Sequence, residues 1–183
     1  MLDLQNKRFV IFGLQGSGKT VLAKYICRGF TKHFIYDTMH EYQGFNRYIP
    51  KFQGTAQAQR ELNTVINQVI IPNKPHIFVI DEANRYCPPK PAPLPEAVSK
   101  LNDWQRHYGI AFGCIARRPT QLHSDLTELA HYMFIFCLKG KNDQFYLNSI
   151  VSGLGDAVAG LQGHDFVMVD EHRNYQVMNA VRG

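Results

Sequence analysis

At 183 residues the chain has room for one α/β domain with a packed core and leaves none for a second. Its net charge of +5 permits a polyanionic partner, yet the basic residues are spread along the chain, so charge alone does not separate that reading from an ordinary solvated surface. The cysteines show no C-x-x-C pairing and the histidines no metal spacing, which argues against a zinc site and for buried thiols in a reducing compartment.

In chain order, Arg8 to Phe12 is an apolar run with strand character, and Val21 to Ile26 opens a helical pattern that runs to about Phe30. Between them stands Gly13-Leu14-Gln15-Gly16-Ser17-Gly18-Lys19-Thr20, the spacing G-x-x-x-x-G-K-[ST]. Glycines at those positions let successive backbone N–H groups converge on phosphates, and the helix N-terminus adds partial positive charge. All eight residues, Gly13 to Thr20, are therefore candidate nucleotide ligands, with Lys19 reaching the β- and γ-phosphates and the Thr20 hydroxyl binding Mg²⁺. His33 to Tyr36 is a short buried strand that delivers Asp37 to the carboxyl edge of the sheet, where ligands of open α/β sheets lie. The loop Asp37 to Tyr42 then has two readings, a ligand-facing edge or a solvated acidic loop. Residues 55–70 place Leu62, Val65, Ile66 and Val69 at helical spacing, as expected of a crossover helix packed on the sheet.

His76 to Ile80 runs into Asp81-Glu82. An aspartate at the tip of a strand beside the phosphate-loop strand suits the Mg²⁺ shell, and the glutamate after it suits orientation of the attacking water. Pro88, Pro89, Pro91, Pro93 and Pro95 demand an extended, exposed segment, which carries Lys90 near its centre and reads either as a partner-touching loop or as a stiff connector. Val98, Leu101, Trp104 and Tyr108 predict a helical core face ended by Gly109. Ile110 to Ala116 is the fourth buried strand, with Gly113 allowing close approach, and it finishes at Arg117-Arg118-Pro119. A helix from Asp125 to about Ala130 is expected behind a Ser124 cap. Tyr132 to Leu138 is the fifth strand, and Asn142 is expected to cap a helix turning Leu147, Ile150, Val151 and Leu154 inward. A glycine-spaced turn through Gly153, Gly155, Gly160 and Gly163 leads to Phe166–Val169, and Tyr175 to Asn179 returns as an antiparallel hairpin. No charged leader with a long apolar region opens the chain, and the longest apolar run, Tyr132 to Leu138, is too short to span a bilayer. A soluble, cytoplasmic protein with no direct membrane insertion is expected.

Buried strands alternating with helices predict a mainly parallel sheet covered on both faces. A strand ending in Asp-Glu suits a hydrolase that activates water. A small-molecule kinase would need an arginine-rich lid, which is not visible, and a GTPase would need Asn-Lys-x-Asp where the chain has Lys141-Asn142-Asp143. The expected activity is ATP hydrolysis, with ATP and Mg²⁺ as cofactors.

Gly13 to Thr20, Ile77 to Glu82, Gly109 to Pro119 and Ala130 to Leu138 together resemble the FtsK/HerA superfamily of ring-forming DNA-pumping ATPases. Ile115-Ala116-Arg117-Arg118-Pro119 resembles the stretch that in this family usually reads Ala-Thr-Gln-Arg-Pro, and Asp37 to Tyr42 resembles its Asp…Gly-Glu-Tyr loop. The resemblance departs at Arg117, where most relatives have Gln, and at His40, where they have Gly. It implies a three-layer P-loop NTPase of RecA/ASCE type with a C-terminal antiparallel β-hairpin, residues 1–183 forming one motor domain. It also implies a ring, hexameric in the family, with double-stranded DNA in the pore and nucleotide between subunits. A chain consisting of the motor core alone looks most like the genome-packaging ATPases of membrane-containing double-stranded DNA viruses, which points to the host cytoplasm or the virion and to a capsid or membrane portal protein as a partner. By place in the resemblance, Arg117 senses its own subunit's γ-phosphate and Arg118 is the candidate for reaching the neighbour's. Lys90, with Arg85 second, is the candidate DNA-phosphate contact. The competing functions are a nucleotide-switched assembly scaffold that never moves DNA and, further off, the kinase.

Overall fold

Alternate residues of the first strand, β1 (Arg8–Phe12), face opposite ways: Phe9 and Ile11 join one buried apolar cluster, Val10 and Phe12 the other. That alternation sets the architecture, since a strand apolar on both faces is stable only with a layer packed on each. The computed structural model describes residues 3–52 and 54–181. Its strands are β1, β2 (His33–Tyr36), β3 (Arg47–Tyr48), β4 (Ile77–Ile80), β5 (Ala111–Ala116), β6 (Tyr132–Phe136), β7 (Phe166–Val169) and β8 (Tyr175–Met178). They form one sheet in the order β3-β2-β4-β5-β1-β6-β7-β8, parallel from β3 to β6 and antiparallel from β6 through β8.

Helix α1 (Lys19–Arg28) covers one face through Leu22, Ala23 and Cys27. The other face is covered by α2 (Thr55–Val65), a π-helical segment (Ile66–Ile70), α3 (Ile71–Asn73), α4 (Glu96–Tyr108), α5 (Ser124–Glu128), α6 (Lys141–Ile150) and α7 (Leu154–Ala159). The fold is thus the expected α/β arrangement with helices on both faces and a closing antiparallel hairpin.

Several local expectations need correction. The acidic strand does not lie beside the phosphate-loop strand, because β5 sits between β4 and β1. Gly113 makes that insertion fit: a Cβ there would come within 2.2 Å of the Phe9 ring on β1. Gly113→Ala is therefore expected to destabilise by about 1–3 kcal/mol, lowering the melting temperature by about 3–10 °C in a thermal scan. The helix from residue 55 widens to a π-turn at Ile66–Ile70, just where Pro72 withholds the N–H that Gln68 would otherwise receive. On α4 the inward face is Ala97, Val98, Leu101, Asn102 and Gln105, and Trp104 is 55% exposed. Helix α5 is capped by His123, which accepts from the Asp125 N–H at 3.3 Å, and α6 is preceded by Gly140 rather than capped by Asn142. The glycine-spaced stretch contains α7, in which a Cβ at Gly155 would meet the Gln144 carbonyl at 2.4 Å, so that glycine serves close helix packing. Cys27, Cys87 and Cys114 are buried, as expected, whereas Cys137 is only partly buried. Among the described residues no helix is long and apolar enough to cross a membrane.

Candidate nucleotide site

The loop between β1 and α1 has the backbone its glycines predict. Gly16 and Gly18 take φ of 77° and 108°, values that L side chains resist. A Cβ at Gly13 would meet Ser17 Oγ at 2.4 Å and Phe136 Cβ at 2.8 Å. The Ser17 N–H donates to the Leu14 carbonyl at 3.2 Å, and the Leu22 N–H to Gly18 at 3.0 Å starts α1. Leu14 and Gln15 are exposed at the tip. Lys19 folds back across the loop, its Nζ donating to the Leu14 carbonyl at 2.9 Å. Burial pulls its pKa down, while Glu82 and Asp81 pull it up. A buried ammonium resting on a backbone carbonyl beside two carboxylates is ready to exchange that weak acceptor for phosphate oxygens.

Asp81 and Glu82 leave β4 on the same edge. Asp81 is 5% exposed, and its Oδ2 is buried with no hydrogen-bond partner among the described residues. Burial, then the neighbouring Glu82, Glu41 and Asp37, push its carboxyl up to about 7. An unpartnered buried carboxylate oxygen is costly unless a cation shares the site. Thr20 Oγ1 donates to Glu41 at 2.6 Å, so the threonine hydroxyl and Glu41 stand together at the loop. This donor set of carboxylate and hydroxyl oxygens fits a hard divalent ion that also takes substrate phosphates.

Glu82 occupies left-handed backbone, φ 49° and ψ 43°, which costs a non-glycine residue about 1 kcal/mol or more. That conformation turns the chain sharply from β4 into the 3₁₀ turn Ala83–Arg85 and aims the carboxylate across the edge of the sheet. There it accepts from Arg117 Nε, with 3.2 Å to Oε1 and 3.0 Å to Oε2. Arg118, the next residue, turns away: its Nε donates to Asp143 Oδ2 at 2.7 Å, and the Thr120 hydroxyl donates to Oδ1 at 2.7 Å. Asp143 is 1% exposed on α6, and Gly140 is small because a Cβ there would lie 2.6 Å from Arg118 Nη2. The two arginines thus leave β5 in different directions, one into the site and one onto a buried carboxylate of its own chain.

Asp37 is neither solvated nor ligand-facing. It is fully buried, accepts the N–H groups of Glu41 at 2.9 Å and Tyr42 at 3.1 Å, and pairs with Arg47. It therefore folds the loop that carries Glu41 to Thr20. His40 in that loop, where the resembling motif has Gly, takes φ 60°, a left-handed conformation that glycine adopts more readily than other residues. Lys90 is exposed in the proline segment, but its Nζ rests 2.6 Å from Asp125. Arg85 is exposed and makes no ion pair among the described residues.

Sequence reasoning missed Glu41 as the Thr20 partner, Asp143 as the Arg118 partner and the Arg117–Glu82 pair. The Asp37–Tyr42 motif carried a signal for the first. The other two join residues 25 and 35 positions apart through a fold not yet known.

A phosphate loop, an acidic strand end and an arginine from the intervening strand, gathered on the carboxyl edge of one sheet, define a P-loop nucleoside triphosphatase. The model of the ATPase family associated with various cellular activities matches residues 9–135, and the chain belongs to that family. It is 25% identical over 100 residues to a probable DNA double-strand break repair helicase HerA of Methanocaldococcus jannaschii; this covers 54% of the chain but only 20% of the relative, so the chain spans about a fifth of that protein's length. In fold it is similar to the genome packaging NTPase B204 of Sulfolobus turreted icosahedral virus 2 bound to ATPγS, with a TM-score of 0.83 at 15% identity over 99% of this chain and 100% of that one. The N-terminal domain of zonular occludens toxin from Neisseria meningitidis shares the fold at TM-score 0.60 and 16% identity, over 96% of this chain and 95% of that one. The resemblance to FtsK/HerA-type ATPases read from the motifs therefore holds, in sequence toward a HerA helicase and in fold toward a viral packaging NTPase. The protein is a P-loop ATPase.

Proposed function

We propose that this ATPase is a double-stranded DNA translocase, a viral genome-packaging motor that works as a ring, probable HerA and the packaging NTPase being the likenesses that support it. Residues 1–183 form its motor domain, it assembles as a hexamer with nucleotide between subunits, and it acts in the host cytoplasm or on the virion against a capsid or membrane portal protein. The observation that carries the reading is local. The turn that follows Glu82 presents Arg85 to solvent without an ion pair among the described residues, so a cation suited to a phosphate backbone stands three residues from the hydrolytic carboxylate. A shift of that turn during turnover moves both.

In this reading Gly13 to Thr20 wrap the phosphates, Lys19 leaves the Leu14 carbonyl for the β- and γ-phosphates, and Thr20 and Asp81 hold the Mg²⁺ that accompanies ATP. Bound there, Mg²⁺ neutralises phosphate charge. Glu82 orients the attacking water and takes its proton. Its present partner, Arg117, must first let go, and an arriving γ-phosphate supplies the competing anion, so that sensing by Arg117 and release of the base are one event.

DNA contact is tested by binding to duplex DNA over a range of salt concentrations. Arg85→Ala is expected to weaken binding uniformly across sequences and to reduce the salt slope by about one. Lys90→Ala has the smaller effect, since Lys90 must leave Asp125 to meet a phosphate. Unchanged affinity and slope in both variants would contradict the assignment.

Arg118 is the candidate finger toward the neighbouring subunit, and to act it must leave Asp143. Mixed rings of Arg118→Ala and Lys19→Ala subunits are expected to regain ATPase activity, because an intact loop then meets an intact finger at some interfaces. No recovery at any mixing ratio, with mixed rings demonstrated, would remove the assignment.

A further inference from the structure

The peptide unit that joins Ser17 to Gly18 is held from outside the phosphate loop. Its carbonyl oxygen lies 3.1 Å from Nδ1 of His164. A carbonyl only accepts, so this hydrogen bond exists with the imidazole hydrogen on Nδ1, donating to Ser17. The unit is trans, and in a trans peptide the C=O and the following N–H point in opposite directions. Anchoring the Ser17 carbonyl on His164 therefore turns the Gly18 N–H the other way, away from the imidazole.

His164 reaches the loop from the segment entering β7. Residues 162–165 form a tight turn in which the Asp165 N–H donates to the Gln162 carbonyl at 3.1 Å and Gly163 takes φ 55°. The turn is pinned behind by Asp165 Oδ1, which accepts from the Ala180 N–H at 3.1 Å just beyond β8. Gly18 is closed in where a side chain would start: a Cβ there would lie 3.2 Å from the Phe136 ring and 3.7 Å from His164 Cβ. Phe136 in turn packs on Phe166 of β7, ring centroids 5.4 Å apart. The last turn of the phosphate loop is thus set by β6 and by the antiparallel hairpin, elements outside the motif itself. His164 is exposed and contributes nothing to the core.

We propose that His164 is a positioning residue of the nucleotide site, holding the Ser17–Gly18 peptide so that its N–H faces the triphosphate and coupling the β7–β8 hairpin to nucleotide binding. The proposal rests on the reading of Gly13 to Thr20 as the phosphate-binding loop. It is tested by titrating the full chain with ATPγS and Mg²⁺. His164→Ala is expected to weaken binding about fivefold, the worth of one hydrogen bond. His164→Asn places an amide nitrogen where Nδ1 stood and should restore affinity to within about twofold, whereas His164→Gln places it at the Nε2 position and should not. Nucleotide-free melting temperatures of the three variants should stay within about 1 °C of the parent, as befits an exposed side chain. Unchanged ATPγS affinity in His164→Ala, equal weakening by Ala and Asn, or losses that track falling melting temperature would each overturn the proposal. A parent chain that does not bind ATPγS would instead overturn the reading of the loop.

Discussion

Glu82→Gln is expected to bind ATP and fail to hydrolyse it, with turnover down about a hundredfold or more and nucleotide affinity preserved. The amide keeps the length and shape of the side chain but cannot take a proton from water. It also gives up the charge that attracts Arg117, whose Nε now lies 3.0–3.2 Å from both carboxylate oxygens, so the arginine is freer to reach a γ-phosphate. The two consequences act in opposite directions on separate measurements. Single-turnover hydrolysis should collapse, while ATPγS affinity should hold or improve. Near-normal turnover would move the water-activating role to another carboxylate, with Glu41, already hydrogen-bonded to Thr20, the first to test.

Lys19→Ala is expected to weaken ATP binding about a hundredfold, because in the proposed role its charge-assisted hydrogen bonds to the β- and γ-phosphates vanish together. Stability should move the other way or not at all. Burial lowers the Lys19 pKa, so the folded state disfavours its charged form relative to the unfolded chain, and removing the ammonium removes that cost. The variant should therefore melt no lower than the parent without nucleotide, while losing the melting-temperature rise that ATPγS gives the parent. A variant that keeps this rise would argue against the loop as the phosphate site.

How much of this was legible in the sequence depended on whether the cause was local. The phosphate loop was readable because its glycines answer a backbone demand at fixed spacing. The strand at His33–Tyr36 and the closing hairpin were readable because apolar runs and turn residues bracket them. Strand β3 is only Arg47–Tyr48 and exists because it pairs with β2, so no periodicity could announce it. Trp104 looked like core on helical spacing, but α4 is rotated so that the polar Asn102 and Gln105 are buried instead. Glycines 153, 155 and 160 read as a turn, although Gly155 is there to let α7 touch α6. The order of strands, with β5 between the two acidic and phosphate-binding edges, was likewise a property of the packed sheet. In the site, residue types were legible and partnerships were not. Asp81, Glu82, Arg117 and Arg118 could be named from motif and resemblance, yet that Arg117 holds Glu82 while Arg118 is tied to Asp143 follows only from where α6 and β5 lie in space.

The central claim is that ATP hydrolysis at this site is coupled to duplex DNA. It is tested most directly by the steady-state ATPase rate with and without double-stranded DNA at several salt concentrations. Stimulation by DNA is expected, fading as salt weakens binding and reduced in Arg85→Ala while the DNA-free rate is kept. A robust ATPase rate indifferent to DNA at every salt concentration would contradict it and favour a nucleotide-switched scaffold, and a rate that rises only with a small acceptor molecule would point to a kinase.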